Sequence, residues 1–383
     1  MGHNRGRAVL IVGGGVGGLA VALAFARTGA TVTVIEQAAA LTDIGAGIQI
    51  TPNGARVLAG LGLVGAATLR GLRAQAVVPV DGLTGRALAG FDLTALAGPP
   101  YRFFHRADLI GILADAARAA GVQMRLGQPV TACGPGPQAV LAQGDRLTGD
   151  LLIGADGVHS VLRPDLNKPA PARFSGQAAW RSTIAAKAPP QARIWMLPGR
   201  HVVTYPLPGG RLNIVAVREQ AAWAAEGWTH PDSPDTLRAA FADACPDLRA
   251  LLAQVTQTRA WGLFLHPVAA CWHDDDRALL GDAAHPTLPF LAQGANLALE
   301  DAFVLARICD GHTALPDALA WYQTARAPRV TRAIAAAQAN AALYHLSGPR
   351  RALSHLGLRA IGRAAPRAFL RRLDWLYGHD VTA

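Results

Sequence analysis

Ala8-Val9-Leu10-Ile11-Val12-Gly13-Gly14-Gly15-Val16-Gly17-Gly18-Leu19 is the stretch that decides the fold. Val9 to Val12 is a short apolar run that suits a buried parallel strand, and Gly15 to Thr28 is an alanine-rich helix pattern. Between them Gly13, Gly15 and Gly18 satisfy a GxGxxG spacing, with Gly17 in the same turn. Gly13 permits the tight turn, Gly15 lets a pyrophosphate approach the backbone, and Gly18 lets helix and strand pack closely. Thr31 to Glu36 is a second β-branched run and completes a βαβ unit. Glu36 stands 23 residues after Gly13 at the end of that run, where a carboxylate can accept the ribose hydroxyl protons of an adenosine. The helix N-terminus adds free N–H groups and a positive dipole end for phosphate. Strand, glycine turn, helix and acid together point to a bound dinucleotide, with FAD and NAD(P) both open at this stage.

Working outward, Pro52 to Leu61 reads as a helix, and Arg73 to Val80 with Arg86 to Phe91 as a hairpin turning at Asp81-Gly82. A helix is expected over Asp108 to Ala120, opened by Asp108 as N-cap and closed by Gly121. Short strands follow near Met124 to Leu126, Val130 to Cys133, Ala139 to Leu141 and Leu151 to Gly154. From Arg173 to Val217 the pattern changes to strands punctuated by Pro and Gly, which with the earlier hairpin predict an antiparallel sheet apart from the nucleotide half. Asp235 to Val255 reads as helices, Arg259 to Leu265 as strand, and Ala278 to Gly281 as a return to the first sheet. The nucleotide domain is therefore expected from discontinuous pieces: 1–70, 100–170 and 270–330, with a second domain from 71–99 and 171–269 and a helical region over 331–383. A chain of 383 residues exceeds what one core usually organises.

Composition narrows the classes. The charge-free segment Ala8 to Ala26 is long enough to suggest a signal or a spanning helix, but its five glycines would interrupt one, so no membrane span is expected. Cys133, Cys245, Cys271 and Cys309 lie far apart without a CxxC pair or metal-ligand spacing, which suits reduced thiols, a cytoplasmic location and no metal site. The net charge is +10, and ten arginines without an acid fall between Arg326 and Arg372. Those arginines read as a solvated helical face, since no nucleic-acid motif accompanies them and no nucleic-acid partner is expected.

Two later segments separate the dinucleotides. Asp150-Leu-Leu-Ile-Gly-Ala-Asp156-Gly157-Val-His-Ser160-Val-Leu-Arg163 sets Asp-Gly at a strand end, and Ala278-Leu-Leu-Gly281-Asp282-Ala-Ala-His285-Pro286 does so again. With these motifs in order, and Arg372-Leu-Asp-Trp-Leu-Tyr-Gly near the end, the chain resembles the single-component (group A) FAD-dependent aromatic hydroxylases. The likeness runs nearly the whole chain and points to the salicylate hydroxylase and 3-hydroxybenzoate 6-hydroxylase branch. It implies an α/β fold: a Rossmann-type FAD-binding domain like that of 4-hydroxybenzoate hydroxylase, interleaved with an antiparallel-sheet substrate domain and followed by C-terminal helices. It also implies tightly bound FAD, NADH or NADPH as co-substrate, a small aromatic substrate, O2, a flavin C4a-hydroperoxide, and a homodimer.

Carried over residue by residue, the resemblance places Glu36 on the adenosine ribose, Arg106 on the ribityl and phosphate region, and Asp282 on a ribityl hydroxyl. Asp156 and Gly157 match a motif that serves both FAD and the nicotinamide coenzyme. Gln49, Val130 and Gly281 join the expected cofactor contacts. Gly294, Ala295 and Asn296 precede a helix over Leu297 to Ile308, whose N-terminal amides would face the pyrimidine edge of the flavin and steady the negative charge of its reduced form. Pro289 would lie beside the oxygen-reactive edge. His285 inside the Gly-Asp motif reads as a structural hydrogen-bonding residue rather than a proton shuttle.

A phenol becomes more nucleophilic when its hydroxyl gives up a proton, so an acceptor beside the ring is needed. His201 and Tyr205 lie on one expected strand at even spacing and therefore share a face. The segment resembles the 3-hydroxybenzoate 6-hydroxylase pattern, in which a histidine and a tyrosine so spaced face the substrate and a glutamine like Gln293 assists. An FAD oxidoreductase without oxygen insertion, a hydroxylase of larger polycyclic or quinone-type rings, and a basic binding protein with a vestigial flavin fold remain alternatives at this point.

Overall fold

The computed structural model describes residues 2–41, 47–223 and 230–383. The chain starts with β1 (Ala8–Val12), α1 (Val16–Arg27) and β2 (Thr31–Ile35), the βαβ unit that the glycine turn demands. β3 (Gly47–Ile50) leads into α2 (Pro52–Gly60) and α3 (Val64–Arg70). β4 (Leu72–Arg73), β5 (Ala76–Asp81), β6 (Phe91–Asp92) and β7 (Arg102–His105) precede α4 (Arg106–Ala119). Next come β8 (Gln123–Arg125), a meander of β9 (Val130–Cys133), β10 (Gln138–Leu141) and β11 (Arg146–Thr148), then β12 (Leu151–Gly154) and α5 (Arg163–Leu166). Four long strands follow: β13 (Arg173–Ala185), β14 (Gln191–Leu197), β15 (Arg200–Leu207) and β16 (Arg211–Glu219). β17 (His230–Asp232), α6 (Pro234–Ala240), α7 (Pro246–Ala253), β18 (Thr258–Leu265) and β19 (Arg277–Leu279) lead to α8 (Gly294–Gly311). α9 (Leu315–Tyr344), α10 (Gly348–Ala364), α11 (Pro366–Arg371) and α12 (Asp374–Tyr377) finish the chain.

β19, β12, β1, β2 and β8 form one parallel sheet in that order. Its central strands are buried on both faces, which is why they are continuous Val, Leu and Ile runs rather than alternating ones. A second sheet of eight strands runs β17-β18-β13-β16-β15-β14-β5-β6. Because side chains alternate along each strand, this sheet sorts its residues cleanly. Trp180, Trp195, Val202 and Ile214 point to one face, under α6 and α7. Ala179, Val217, Trp261 and Leu263 point to the other, where Ala337 and Ala341 of α9 and Phe290 cover them. β3, β7 and β4 make a small sheet that meets the eight-stranded one, where Phe103 of β7 lies 5.1 Å from Tyr205 of β15 between ring centroids.

Several local expectations change. The eight-stranded sheet is not wholly antiparallel: β14 pairs parallel with β5, a pairing that no hairpin dictates because more than a hundred residues separate the strands. The hairpin's second arm shrinks to Phe91–Asp92 plus a single bridge from Val80 to Ala87. There the carboxylate of Asp81 accepts from the N–H groups of Leu83 and Thr84, which widens the turn. α4 starts at Arg106 with His105 as the extended N-cap residue, so Asp108 is a first-turn acid facing the helix dipole rather than the cap. α8 starts at Gly294, three residues earlier than expected. Not all the arginines of the acid-free stretch are solvated either, since Arg326 is 1% exposed and Arg351 is bound to buried Asp81. Among the described residues no helix is long and apolar enough to cross a membrane.

Candidate active site

The glycine turn behaves as its spacing requires. Gly13 has φ +104°, a conformation that L side chains rarely adopt. A Cβ on Gly18 would run into the carbonyl oxygen of Gly13, so only glycine lets α1 sit this close to β1. At Gly15 a Cβ would meet nothing within 4 Å, because the position opens into a cleft. Glu36 caps the turn from the end of β2: Gly14 N–H donates to its Oε2 at 2.6 Å and Ala38 N–H to its Oε1 at 2.8 Å. The next segment passes close by, since Gln128 N–H donates to the Glu36 carbonyl two residues before Val130 opens β9.

The cleft, about 710 Å³ and open to solvent, is lined by Gly15, Gly17, Ile48, Arg106, Ala155, Gly157, Gly281, Asp282, Gly294, Ala295 and Ala298. The N-termini of α1 and α8 both open into it, so two sets of free amides and two positive dipole ends converge there. Burial pushes the Asp282 carboxyl above its ordinary value, against the pull of His285, Arg106 and His266. Asp156 is pushed up by burial too; its Oδ2 accepts from Val161 N–H at 2.8 Å, while Oδ1 is buried without a hydrogen-bond partner. Asp282 also lines a smaller hollow, about 470 Å³, with Pro289, Leu288, Val158 and Trp261, so it borders both.

Between Pro289 and Gln293 the chain takes a strained turn. Ala292 has φ +53°, unlike any other non-glycine residue among those described. Asn296 holds the turn, donating to the Ala292 carbonyl at 2.5 Å and to the Gln49 carbonyl at 3.1 Å, while its Oδ1 accepts from Thr51 N–H at 3.0 Å. Its side chain therefore fixes backbone, leaving the amides around it to face the cleft. Gln293 accepts from Asn53 at 3.1 Å and donates to Thr51 Oγ1 at 3.2 Å and to the Leu291 carbonyl at 3.3 Å. These bonds orient Gln293 from α2.

His201 and Tyr205 do share a face of β15, and both are buried. His201 lies against the rings of Phe290 and Tyr344, at 5.6 and 5.2 Å between centroids. Burial, with His345 beside it, holds its imidazole well below the ordinary value, so it is a neutral acceptor. Burial pushes the Tyr205 hydroxyl up to about 12 although Arg181 and Gln49 pull the other way, so it is a donor. Gln49 in turn accepts from Tyr101 at 2.6 Å. One strand face thus offers a proton acceptor and a proton donor, flanked by Arg181 and by Asn213, whose side chain accepts from Gly47 N–H at 2.8 Å.

Sequence reading missed the frame behind these residues. Asp301 accepts from Arg326 at 2.7 Å and pairs with His285 Nε2 at 2.6 Å, and the Gly281 N–H donates to it at 3.3 Å. Glu300 accepts from Asn53 and from Arg329, each at 2.7 Å, and lies 2.7 Å from Arg326. Burial alone would raise both carboxyls, but the paired cations hold each below its ordinary value. The signal was present as Glu300-Asp301 inside an apolar helix, followed by arginines without acids of their own. His285 is thereby a buried hydrogen-bonding residue, as its motif suggested.

Comparison with known proteins shows the family. The model of the FAD binding domain family matches residues 7–337. The chain is 37% identical to a 3-amino-4-hydroxybenzoate 2-monooxygenase of Streptomyces platensis, over 97% of this chain and 96% of that one. It is 32% identical to a 3-hydroxybenzoate 6-hydroxylase of Aquipseudomonas alcaligenes, over 99% and 98%. HpxO of Klebsiella pneumoniae, solved with FAD and uric acid, superposes with a TM-score of 0.86 at 26% identity, over 97% of each chain. With the family model spanning both sheets and the relatives matched almost end to end, the chain belongs to the FAD binding domain family and, within it, to the FAD-dependent monooxygenases of small aromatic rings.

Proposed function

We propose that the protein hydroxylates a small phenol that also carries a carboxylate, a hydroxybenzoate in class, with NADH or NADPH and O2 as co-substrates. The observation that carries this reading is the buried pair on β15, a neutral histidine and a protonated tyrosine on the face that Phe290 and the Pro289 loop approach. Bound FAD would supply the redox chemistry, hydride acceptance from the nicotinamide coenzyme and activation of O2.

The remaining chemistry belongs to the chain. His201 accepts the phenol proton, which raises electron density at the ring carbons ortho and para to the oxygen. Tyr205 donates a hydrogen bond to the substrate, and Arg181, which lies over Trp261 at 5.4 Å, attracts the carboxylate. Gln293, braced by Asn53 and Thr51, orients the ring from the side of the strained turn, and Pro289 shapes the wall where oxygen arrives. Glu36 and the Val130 segment hold the adenosine; Gly13, Gly15, Gly17 and Gly18 leave the pyrophosphate its place at the start of α1. Arg106, Asp156, Gly157, Gly281 and Asp282 hold the ribityl chain, with Gln49 nearby, and the amides of Gly294, Ala295 and Asn296 face the pyrimidine edge. The open space at Gly15 and Gly157 and the orphaned oxygen of Asp156 are what an extended, hydroxyl-rich cofactor would fill. A homodimer, read out as twice the chain mass by light scattering, and a cytoplasmic location consistent with four free cysteines belong to the same reading.

The decisive experiment supplies purified yellow protein with NADH or NADPH, isotopically heavy O2 and a panel of hydroxybenzoates. One heavy oxygen atom per hydroxylated product is expected; product without label would end the monooxygenase reading. A second test concerns Asp282. Its folded pKa is raised by burial, so folding favours its protonated form and stability falls as pH rises through the interval above 3.8. Asp282→Asn should therefore raise the melting temperature of the apoprotein near neutral pH. The same change should weaken FAD binding about 10- to 100-fold, the loss of one charge-assisted hydrogen bond. Unaltered FAD titration would remove Asp282 from the cofactor site.

A further inference from the structure

His201 has a partner that sequence reading did not assign. Its Nδ1 lies 2.7 Å from Nε2 of His345, and Nδ1 of His345 lies 3.1 Å from Oε1 of Glu219. His201 is 1% exposed, the His345 side chain 3% and the Glu219 side chain 59%. The row runs from the middle of the molecule to water through three elements: β15, the C-cap of α9 and the end of β16. Backbone bonds fix the corner where they meet. Gly199 N–H donates to the His345 carbonyl at 3.0 Å, and Glu219 N–H donates to the Gly199 carbonyl at 2.8 Å.

Other charges near this corner are committed elsewhere. Arg200 and Arg218 belong to the opposite face of the sheet, where Arg200 binds Asp243 and Arg218 lies over Trp180. Gln177, opposite Glu219 in the ladder, is uncharged. Asp81, beyond Met196 on the near face, is paired with Arg351 and His355. Arg181 lies toward Tyr205, and buried Tyr344 keeps its proton.

We propose that His345 and Glu219 are the proton outlet of His201: Glu219 sets the tautomers of both imidazoles and passes the substrate's phenolic proton to solvent. The inference rests on the reading of His201 as the base.

A carboxylate only accepts, so Nδ1 of His345 carries the hydrogen and its Nε2 is a lone pair. Nδ1 of His201 is then the donor across the 2.7 Å contact, which leaves Nε2 of His201 free to take a proton. When the phenol O–H bond breaks, an N–H bond forms at Nε2 of His201. The Nδ1 proton of His201 moves to Nε2 of His345, whose own Nδ1 proton moves to Glu219 and from there to water. One proton enters, one leaves, and no oxidation state changes. Burial drives both imidazoles toward the neutral form, so a proton stopped on either would be expensive to hold. Exposed Glu219 removes that difficulty.

Two readouts test the outlet. In the FAD-loaded protein with nitrogen-15 histidine, two-bond proton–nitrogen correlations should show His201 and His345 both carrying hydrogen on Nδ1; hydrogen on Nε2 of His201 would overturn the proposal. In turnover of 3-hydroxybenzoate, Glu219→Ala and His345→Gln should lower kcat about 10-fold, the low end of a general acid–base contribution or below, with little change in KM. Formate should restore the Glu219→Ala rate and shift its pH profile back, a response that a merely structural role would not give. If His201→Gln is as active as the parent, the base itself is misassigned. If His201→Gln is inactive while Glu219→Ala keeps its full rate without formate, only the outlet fails.

Discussion

Asp301→Ala is expected to destabilise the fold by about 3–5 kcal/mol, the usual consequence of breaking a buried ionic group and leaving its partners uncompensated. Asp301 is 0% exposed, and both of its oxygens are taken. Its loss would leave Arg326, 1% exposed, with Glu300 as its carboxylate partner and no acceptor for its Nε, and would remove the acceptor from His285 and from the Gly281 N–H that begins the Asp282 loop. Chemical denaturation of the apoprotein should show a lowered midpoint, and FAD should dissociate more readily because the Asp282 loop loses its anchor. Asp301→Asn retains shape without charge and should fall between the two. A loss below about 1 kcal/mol would mean that the network is not the frame of the cofactor loops. The pH dependence has a definite sign. Asp301 and Glu300 titrate below their ordinary values of 3.8 and 4.5 when folded, so their contribution is complete above those values and disappears as pH falls through the lower folded ones. Neutral and mildly acidic solution should leave the frame intact.

The other large effect concerns His201. His201→Gln should reduce hydroxylation by about 10²- to 10⁴-fold, the range for a positioned general base. FAD content should be unchanged, because His201 lies on the eight-stranded sheet and outside the cleft at the glycine turn. NAD(P)H consumption without matching product, with hydrogen peroxide released, is the expected signature. Because burial lowers the His201 pKa, the acid limb of kcat/KM should fall below 6.5, and the rate should stay flat through neutral pH. A variant keeping half the parent rate would take the role of base away from His201.

The glycine turn and Glu36 were legible because the backbone conformation at Gly13 and the close packing at Gly18 admit no other residue, and such steric demands are written at single positions. His201 and Tyr205 were legible as a pair because a strand turns alternate residues to one face. α8 starts three residues before Leu297 although Gly294 and Asn296 are weak helix formers, because the side-chain bonds of Asn296 to Thr51, Gln49 and Ala292 set the turn that starts the helix there. The arginines were read as solvated because their partners, Glu300, Asp301 and Asp81, stand far from most of them along the chain.

By itself the sequence determined the nucleotide fold, the position of Glu36 after β2 and the strand face that His201 and Tyr205 share, since each follows from local backbone sterics and strand periodicity. Only the tertiary structure decided that Asp301 and Arg326 brace the segment from Gly281 to His285, that β5 joins the eight-stranded sheet parallel to β14, and that His345 and Glu219 stand behind His201. These contacts join segments separated by tens to hundreds of residues. Their energy depends on burial and on which charges meet in a low-dielectric interior, quantities that no window along the chain contains.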